Sequence, residues 1–321
     1  LHLQSLPLLY LFYGIIGGIG LGIGYITPVS TLVKYFPENR GFATGLAIMG
    51  FGFASLIAGP LMQYFTATYG LVENFLFLGT VYIIVMGLSA LYLKPPAVQN
   101  SPTRQGSMTH HGYTENEAIK TWQFSALWFI FFINITCGIG LLAVASPMAQ
   151  ETIGMSPAAA ASLVGLMGLF NGAGRIFWST VSDYIGRGYT YVLFFLLETF
   201  AFWQLAATSD ALFFEVLVLL IITCYGGGFS CMPAYLSDIF GTKKLSAIHG
   251  RILTAWGLAG IVGPIIVSWL RESTSGYATT LHVFAACFVV NFIVALLLKH
   301  YGSQQENSAV IVAKSPKEHL S

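Results

Sequence analysis

About nine stretches of mostly apolar residues, each long enough to cross a bilayer as a helix, divide this chain. They run at 8–33, 41–66, 73–94, 122–149, 158–181, 188–208, 211–237, 246–270 and 279–300. Only 8% of the 321 residues are charged, against about 25% in an ordinary soluble domain. A soluble enzyme of this length could not clothe its surface with so few charges. Disorder fails for the opposite reason, since 55% hydrophobic residues expose too much apolar surface to water. The runs are continuous rather than alternating, which argues against a membrane barrel. The sequence therefore predicts an all-α, polytopic membrane helical bundle embedded in lipid. A net charge of +1 gives no field for nucleic acid, and none is expected as a partner.

Basic residues set the expected orientation. Lys34 and Arg40 flank the first connection, and Lys94, Arg104 and Lys120 lie in the third. Arg187 is in the fifth, and Lys243, Lys244 and Arg251 are in the seventh. Lys299, Lys314 and Lys317 follow the last stretch. The alternate connections hold only Arg271. By the positive-inside rule the odd-numbered connections and the C-terminus are cytoplasmic, in the plasma membrane, and Leu1 starts outside. Leu1–Pro7 carries no basic segment followed by a small-residue cleavage site, so no signal peptide is expected.

Sliding the sequence on itself by 204 positions brings Gly22 onto Gly226, Gly24 onto Gly228, Tyr25 onto Phe229 and Phe36 onto Phe240. Gly59-Pro60 falls on Gly263-Pro264, and Pro28 misses Pro233 by one residue. The same shift lays the first three stretches on the last three. The second copy has three further stretches ahead of this trio, and the first has none. Two equal halves would need twelve spans, so the expectation is a fold lacking its first three helices. Residues 1–94 would be the remainder of an N-terminal bundle, 95–121 a flexible cytoplasmic tether, 122–301 a six-helix C-terminal bundle and 302–321 a disordered cytoplasmic tail. Paired halves with a site between them near midplane describe a secondary transporter.

The segment Gly174-Arg175-Ile176-Phe177-Trp178-Ser179-Thr180-Val181-Ser182-Asp183-Tyr184-Ile185-Gly186-Arg187 resembles the short cytoplasmic loop of the major facilitator superfamily, with Ser179 in place of the first glycine. Ser179 is small enough for close helix approach. Asp183 is suited to capping the following helix or pairing with a base, Gly186 to a tight turn, and Arg187 to the headgroup level. More narrowly, Gly22–Pro28, Lys34–Gly45, Asn171–Arg175 and Thr254–Gly257 are similar to the oxalate/formate antiporter family. That resemblance implies exchange or proton-linked movement of small carboxylates. It also implies that Arg175 serves the anion.

Arg175 lies eight residues before Asp183, roughly 12 Å up a helix. An arginine at that depth costs about 2.5–3.5 kcal/mol on insertion scales, so it needs protein or water around it and a partner. It either forks onto a substrate carboxylate, pairs permanently with Glu198 or another helix, or snorkels to the inner surface. Members of the family that exchange oxalate use a lysine in the helix matching 246–270. Here residues 252–270 hold no Lys, Arg or His, and Trp256 stands in the motif. Two cations suit a dianion and one suits a monoanion in a low-dielectric site. A monocarboxylate such as formate, lactate or pyruvate is the expected substrate, with an oxalate or dicarboxylate exchanger as the alternative.

Tyr25, Tyr225, Phe229 and Trp256 are candidates to enclose the anion, with Asn171 as a hydrogen-bonding group; ordinary packing or an interfacial belt would also account for each. Glu198 is either a proton-coupling group or the neutraliser of Arg175. Asn134 is either a substrate ligand or glue between helices. Gly14, Gly18 and Gly22, with Gly20 and Gly24, make small faces for a close neighbour. Gly59-Pro60 and Gly263-Pro264 would weaken two helices at matched depths, as hinges or as static kinks. Cys137, Cys224, Cys231 and Cys287 show no metal or redox spacing, and no cofactor or metal is expected. No nucleophile–base pair stands at membrane depth, so the chain is not read as an enzyme. The expected protein is a monomeric carrier that moves a small carboxylate by alternating access, coupled to a proton or counter-anion. A receptor of the same fold that binds without carrying remains the rival.

Overall fold

The computed structural model describes residues 5–94, 112–274 and 276–314. Among them every regular element is helical. The helices are α1 (Leu6–Tyr35), α2 (Arg40–Tyr69), α3 (Leu71–Tyr92), the short α4 (Glu115–Ala118), α5 (Trp122–Ile153) and α6 (Pro157–Ile185). They continue as α7 (Arg187–Leu205), α8 (Ala211–Phe240), α9 (Leu245–Ile252), α10 (Thr254–Thr274) and α11 (Ala278–Lys314). A π-helical stretch, Tyr10–Ile16, interrupts α1.

Local chemistry fixes where these helices start and stop. Thr121 accepts from the Phe124 N–H at 3.2 Å, Ser156 from Ala159 at 3.2 Å and Asp210 from Phe213 at 2.7 Å. Each cap satisfies one of the amide donors that a helix start leaves free. Pro157 stands at the first position of α6, where its missing N–H costs nothing. Gly154 closes α5 at φ 75°, and Gly186 turns the chain between α6 and α7 at φ 88°. A side chain at either would strain the backbone. The turn foreseen at Gly186 is thus present.

Eight helical segments, with α9–α10 taken as one, are long and apolar enough to cross a membrane. The stretch at 188–208 is helical too, but α7 falls below that standard. It has 19 residues, and Arg187, Glu198, two threonines and two tyrosines dilute it. Packing on α8 and α11 holds it instead. The core lies among α5, α7, α8 and α11, where Phe202 stacks on Phe288 at 5.4 Å and meets Phe284 edge-on at 5.6 Å. Phe131, Phe195 and Phe214 are fully enclosed there.

Helix ends follow the repeat. α1 ends at Tyr35 and its sister α8 at Phe240; α2 begins at Arg40 and α9 at Leu245. Two expectations about the connecting segments change. Of the tether, residues 95–111, with His110-His111, lie outside the described residues. Its end is ordered by a capping box, in which Thr114 accepts from Glu117 N–H while the Glu117 carboxylate accepts from Thr114 N–H at 2.8 Å. The tail is not irregular from residue 302, because the backbone of α11 stays helical to Lys314.

Candidate functional site

Helix α6 is the spine of the site. It packs against α2 on one side and α8 on the other, the two most extensive long-helix contacts in the molecule. Close approach is possible because of glycine, though on the facing helices. A Cβ placed on Gly45 would stand 2.6 Å from the Arg175 carbonyl oxygen and closer still to Ser179 Oγ. One on Gly226 would stand 2.5 Å from the Asn171 carbonyl oxygen and 3.2 Å from Arg175 Cγ. The small Ser179 therefore does allow close approach, with Gly41 and Gly45 as the surfaces that approach it.

Arg175 is held between these helices with 6% of its surface exposed. Its Nε donates to Asn171 Oδ1 at 2.8 Å, and its Nη1 donates to the Ile48 carbonyl of α2 at 3.0 Å. The guanidinium carbon lies 5.3 Å from the Phe229 ring centre and 5.8 Å from Phe51. Among the described residues no carboxylate pairs with it. The proposed neutraliser, Glu198, is buried on α7, and neither of its carboxylate oxygens has a hydrogen-bond partner. The permanent Arg175–Glu198 pair is therefore overturned: Glu198 belongs to the later-helix core, with Cys137 and Cys224 as its electrostatic neighbours. Snorkelling is also excluded by the inward fixation of the side chain on Ile48.

The aromatic candidates converge on this guanidinium. Trp256, half-buried on α10, lies 5.4 Å from Phe229 and 6.1 Å from Tyr25, so the two sister positions touch one ring. Tyr225 meets Phe229 edge-on at 5.8 Å and rests its own ring on Gly138 of α5. Tyr25, Tyr225 and Phe229 are buried, whereas Phe51 is 42% exposed, so the cluster opens at Phe51 and Trp256. The Tyr25 hydroxyl is enclosed without a partner. Asn171 takes a different part from the expected one: its side-chain oxygen faces Arg175 and orients the fork. Asn134 is buried with both amide atoms unpartnered, against Gly228.

Two members of the cluster carry no earlier prediction. Phe51 is one phenylalanine among 25, without a distinguishing signal. His249 on α9 is fully buried, its ring centre 5.7 Å from Tyr25 and both ring nitrogens without a partner. A histidine inside an apolar stretch is a legible signal, but it stands three residues ahead of the segment 252–270, which holds no Lys, Arg or His.

One end of the bundle is latched across the same helices. Asp183 accepts from the backbone N–H groups of Gly41 and Phe42 at 2.9 and 2.8 Å, and so caps α2 rather than the helix that follows it. Arg187 binds Asp183 at 2.5 Å, Asp238 at 3.3 Å and Ser182, and Arg40 reaches the other Asp238 oxygen at 3.1 Å. Arg187 is thus a half-buried member of a four-residue ion network. The glycine–proline pairs also differ: Gly263 packs against the Thr136 carbonyl of α5, while Gly59 has no neighbour where a Cβ would point. Pro60 and Pro264 both lie inside their helices.

With a buried cation enclosed between α2, α6 and α8, comparison with known proteins is informative. The profile of the Major Facilitator Superfamily matches residues 1–138 and 127–319. The chain belongs to that superfamily and is a multi-pass membrane protein. It is similar to the oxalate:formate antiporter of Oxalobacter formigenes, 30% identical over 91% of this chain and 70% of that one. An uncharacterised MFS-type transporter of Escherichia coli is 26% identical over 81% of this chain and 65% of its own length. Monocarboxylate transporter 13 of Rattus norvegicus is 23% identical over 93% of this chain and 69% of its own. This chain thus spans about two thirds of the length of these relatives. Among solved structures, the MFS transporter FucP in its outward conformation superposes with a TM-score of 0.64 at 17% identity, covering 85% of this chain and 71% of that one.

Proposed function

We propose that the protein is a secondary transporter of a small organic anion, a monocarboxylate such as formate, lactate or pyruvate, working by alternating access. The observation that carries this reading is the unpaired charge of Arg175. A guanidinium enclosed among rings, with no carboxylate beside it, is costly in an apolar interior unless an anion arrives to share it. Asn171 and Ile48 hold two of its edges, which pre-orients the fork for a carboxylate. Tyr25, Tyr225, Phe229 and Trp256 would exclude water around the anion. Binding would offset the charge of the guanidinium and lower the barrier to reorientation of 1–94 against 122–301.

In this scheme the Asp183–Arg187–Asp238–Arg40 network is the cytoplasmic gate, closed here and broken when the site turns inward. Asp183, Gly186 and Arg187 with Ser179 form its moving loop, and Gly59-Pro60 and Gly263-Pro264 are points where α2 and α10 bend. The C-terminus would face the cytoplasm of a plasma-membrane monomer. Exchange of oxalate for formate is the second reading, favoured by the 30% identical antiporter. Against it stands Trp256, where a second fixed cation would be wanted.

Reconstituted protein separates carrier from receptor. Proteoliposomes preloaded with formate should take up labelled formate, and Arg175→Gln should abolish the uptake. Binding of formate without any flux would make the protein a receptor. Undiminished uptake by the variant would reduce Arg175 to packing.

A further inference from the structure

We propose that His249 is the proton-binding group of this pocket, a cation present only while an anion occupies Arg175. This rests on the reading of Arg175 as the anion site. His249 and Tyr25 are enclosed in the cluster, and neither the two ring nitrogens nor the hydroxyl has a partner. Buried polar groups are rarely left so, and such an orphan calls for an occupant or a function. Tyr25 joins the two charges, since its ring lies on His249 at 5.7 Å and it stands within electrostatic reach of Arg175.

Position along the helices gives the same answer. His249 is four residues into α9, roughly 6 Å from the latched end, and Arg175 is roughly 12 Å from it along α6. By depth along the helices, the imidazole therefore stands between Arg175 and the latched end.

The charges around it leave His249 uncommitted. From α1 it meets Tyr25, and Lys34 on that helix is exposed. From α4, Glu115 is taken by Lys244 at 4.0 Å, and its carbonyl and Asn116 are taken by Arg251 of α9 itself. On α8, Asp238 is held by Arg40 and Arg187, Glu215 stands near the opposite end of the helix, and the remaining titratable groups are Tyr225, Tyr235, Cys224 and Cys231. α5 and α10 carry charges only at their far ends, at Glu151, Arg271 and Glu272. An imidazolium here would face a fixed guanidinium and no fixed anion. The arriving carboxylate supplies the missing negative charge, so anion and proton enter as a pair. Protonated, His249 becomes the second cation that a dianion needs, without a lysine in α10.

The test measures proton uptake by the full chain in detergent, in weak buffer with a pH dye, on addition of formate, acetate, lactate, pyruvate or oxalate. Binding is followed separately by thermal shift. Wild type should take up roughly one proton per bound anion, and affinity should rise about tenfold per pH unit of acidification, as one linked proton requires. His249→Gln and His249→Asn should bind formate with a flat pH profile, take up no proton, and lose most oxalate binding. No uptake by wild type with any of these anions, or uptake retained in a folded His249 variant, overturns the proposal. Arg175→Gln distinguishes the two readings: undiminished anion binding there sinks the Arg175 site, whatever the proton result.

Discussion

Where α2 carries Gly41, Gly45 and Gly52, its repeat mate α9–α10 carries Leu245, His249 and Trp256 at the matching positions. The glycines lie against α6: a Cβ on Gly52 would stand 3.0 Å from Asn171 C, and one on Gly41 2.9 Å from Asp183 Oδ1. The mate's side chains instead fill the space beside Tyr25 and Phe229. One of the two matched helices is a surface that lets Arg175 and the latch come close, and the other would form the chemical wall of the proposed site. The two matched helices thus take unlike parts in the proposed site, one packing and the other supplying polar and aromatic side chains. The sister glycines of α1 and α8 diverge similarly. Gly226 and Gly228 are pressed against Asn171 and Asn134, whereas Gly22 has open space and Gly24 only Met86 at 3.6 Å.

The largest expected break in this comparison comes from exchanging the roles. Gly45→Leu should wedge α2 from α6 and cost about 3 kcal/mol of stability by overpacking. His249→Leu, at the sister position, should stay within about 1 kcal/mol, since it replaces an unpartnered polar group by an apolar one of similar size. Thermal unfolding in detergent measures both, and equal losses would erase the distinction between packing wall and chemical wall.

Trp256→Lys places a fixed cation on the chemical wall. Oxalate should then outcompete formate by about tenfold, the equivalent of 1.4 kcal/mol, as read by competition binding. Unchanged preference would remove the charge-count argument. The smallest effect is expected at the latch. Asp183→Asn weakens the α2 cap and the Arg187 pair by about 1 kcal/mol. Alkylation of a cysteine introduced at Ser237, which is buried beside Arg40, should accelerate a few-fold in that background. A rate that does not change would show that the latch is held elsewhere.

The helices and their duplication were legible because membrane helices advertise themselves by length and apolarity, and because Gly59-Pro60 and Gly263-Pro264 keep register. Arg175 was legible for the same reason, as a charge where charges are expensive. What stayed hidden was partnership across helices. Nothing in sequence spacing says that Asp183 reaches back to Gly41, about 140 residues earlier, or that Asn171 faces Arg175 instead of the cavity. Whether Glu198 pairs with Arg175 stayed open in the sequence because composition shows two opposite charges and not which side of a bundle each faces. His249 lies three residues ahead of the cation-free segment 252–270, so the charge count of that segment does not include it.

The central claim is tested most directly by equilibrium binding of labelled formate to the purified chain, wild type against Arg175→Gln. A hydrogen-bonded charge of this kind is worth about 1.5–3 kcal/mol, so affinity should fall between tenfold and about a hundredfold while Tyr225→Phe stays close to wild type. Equal affinity in wild type and Arg175→Gln would contradict it.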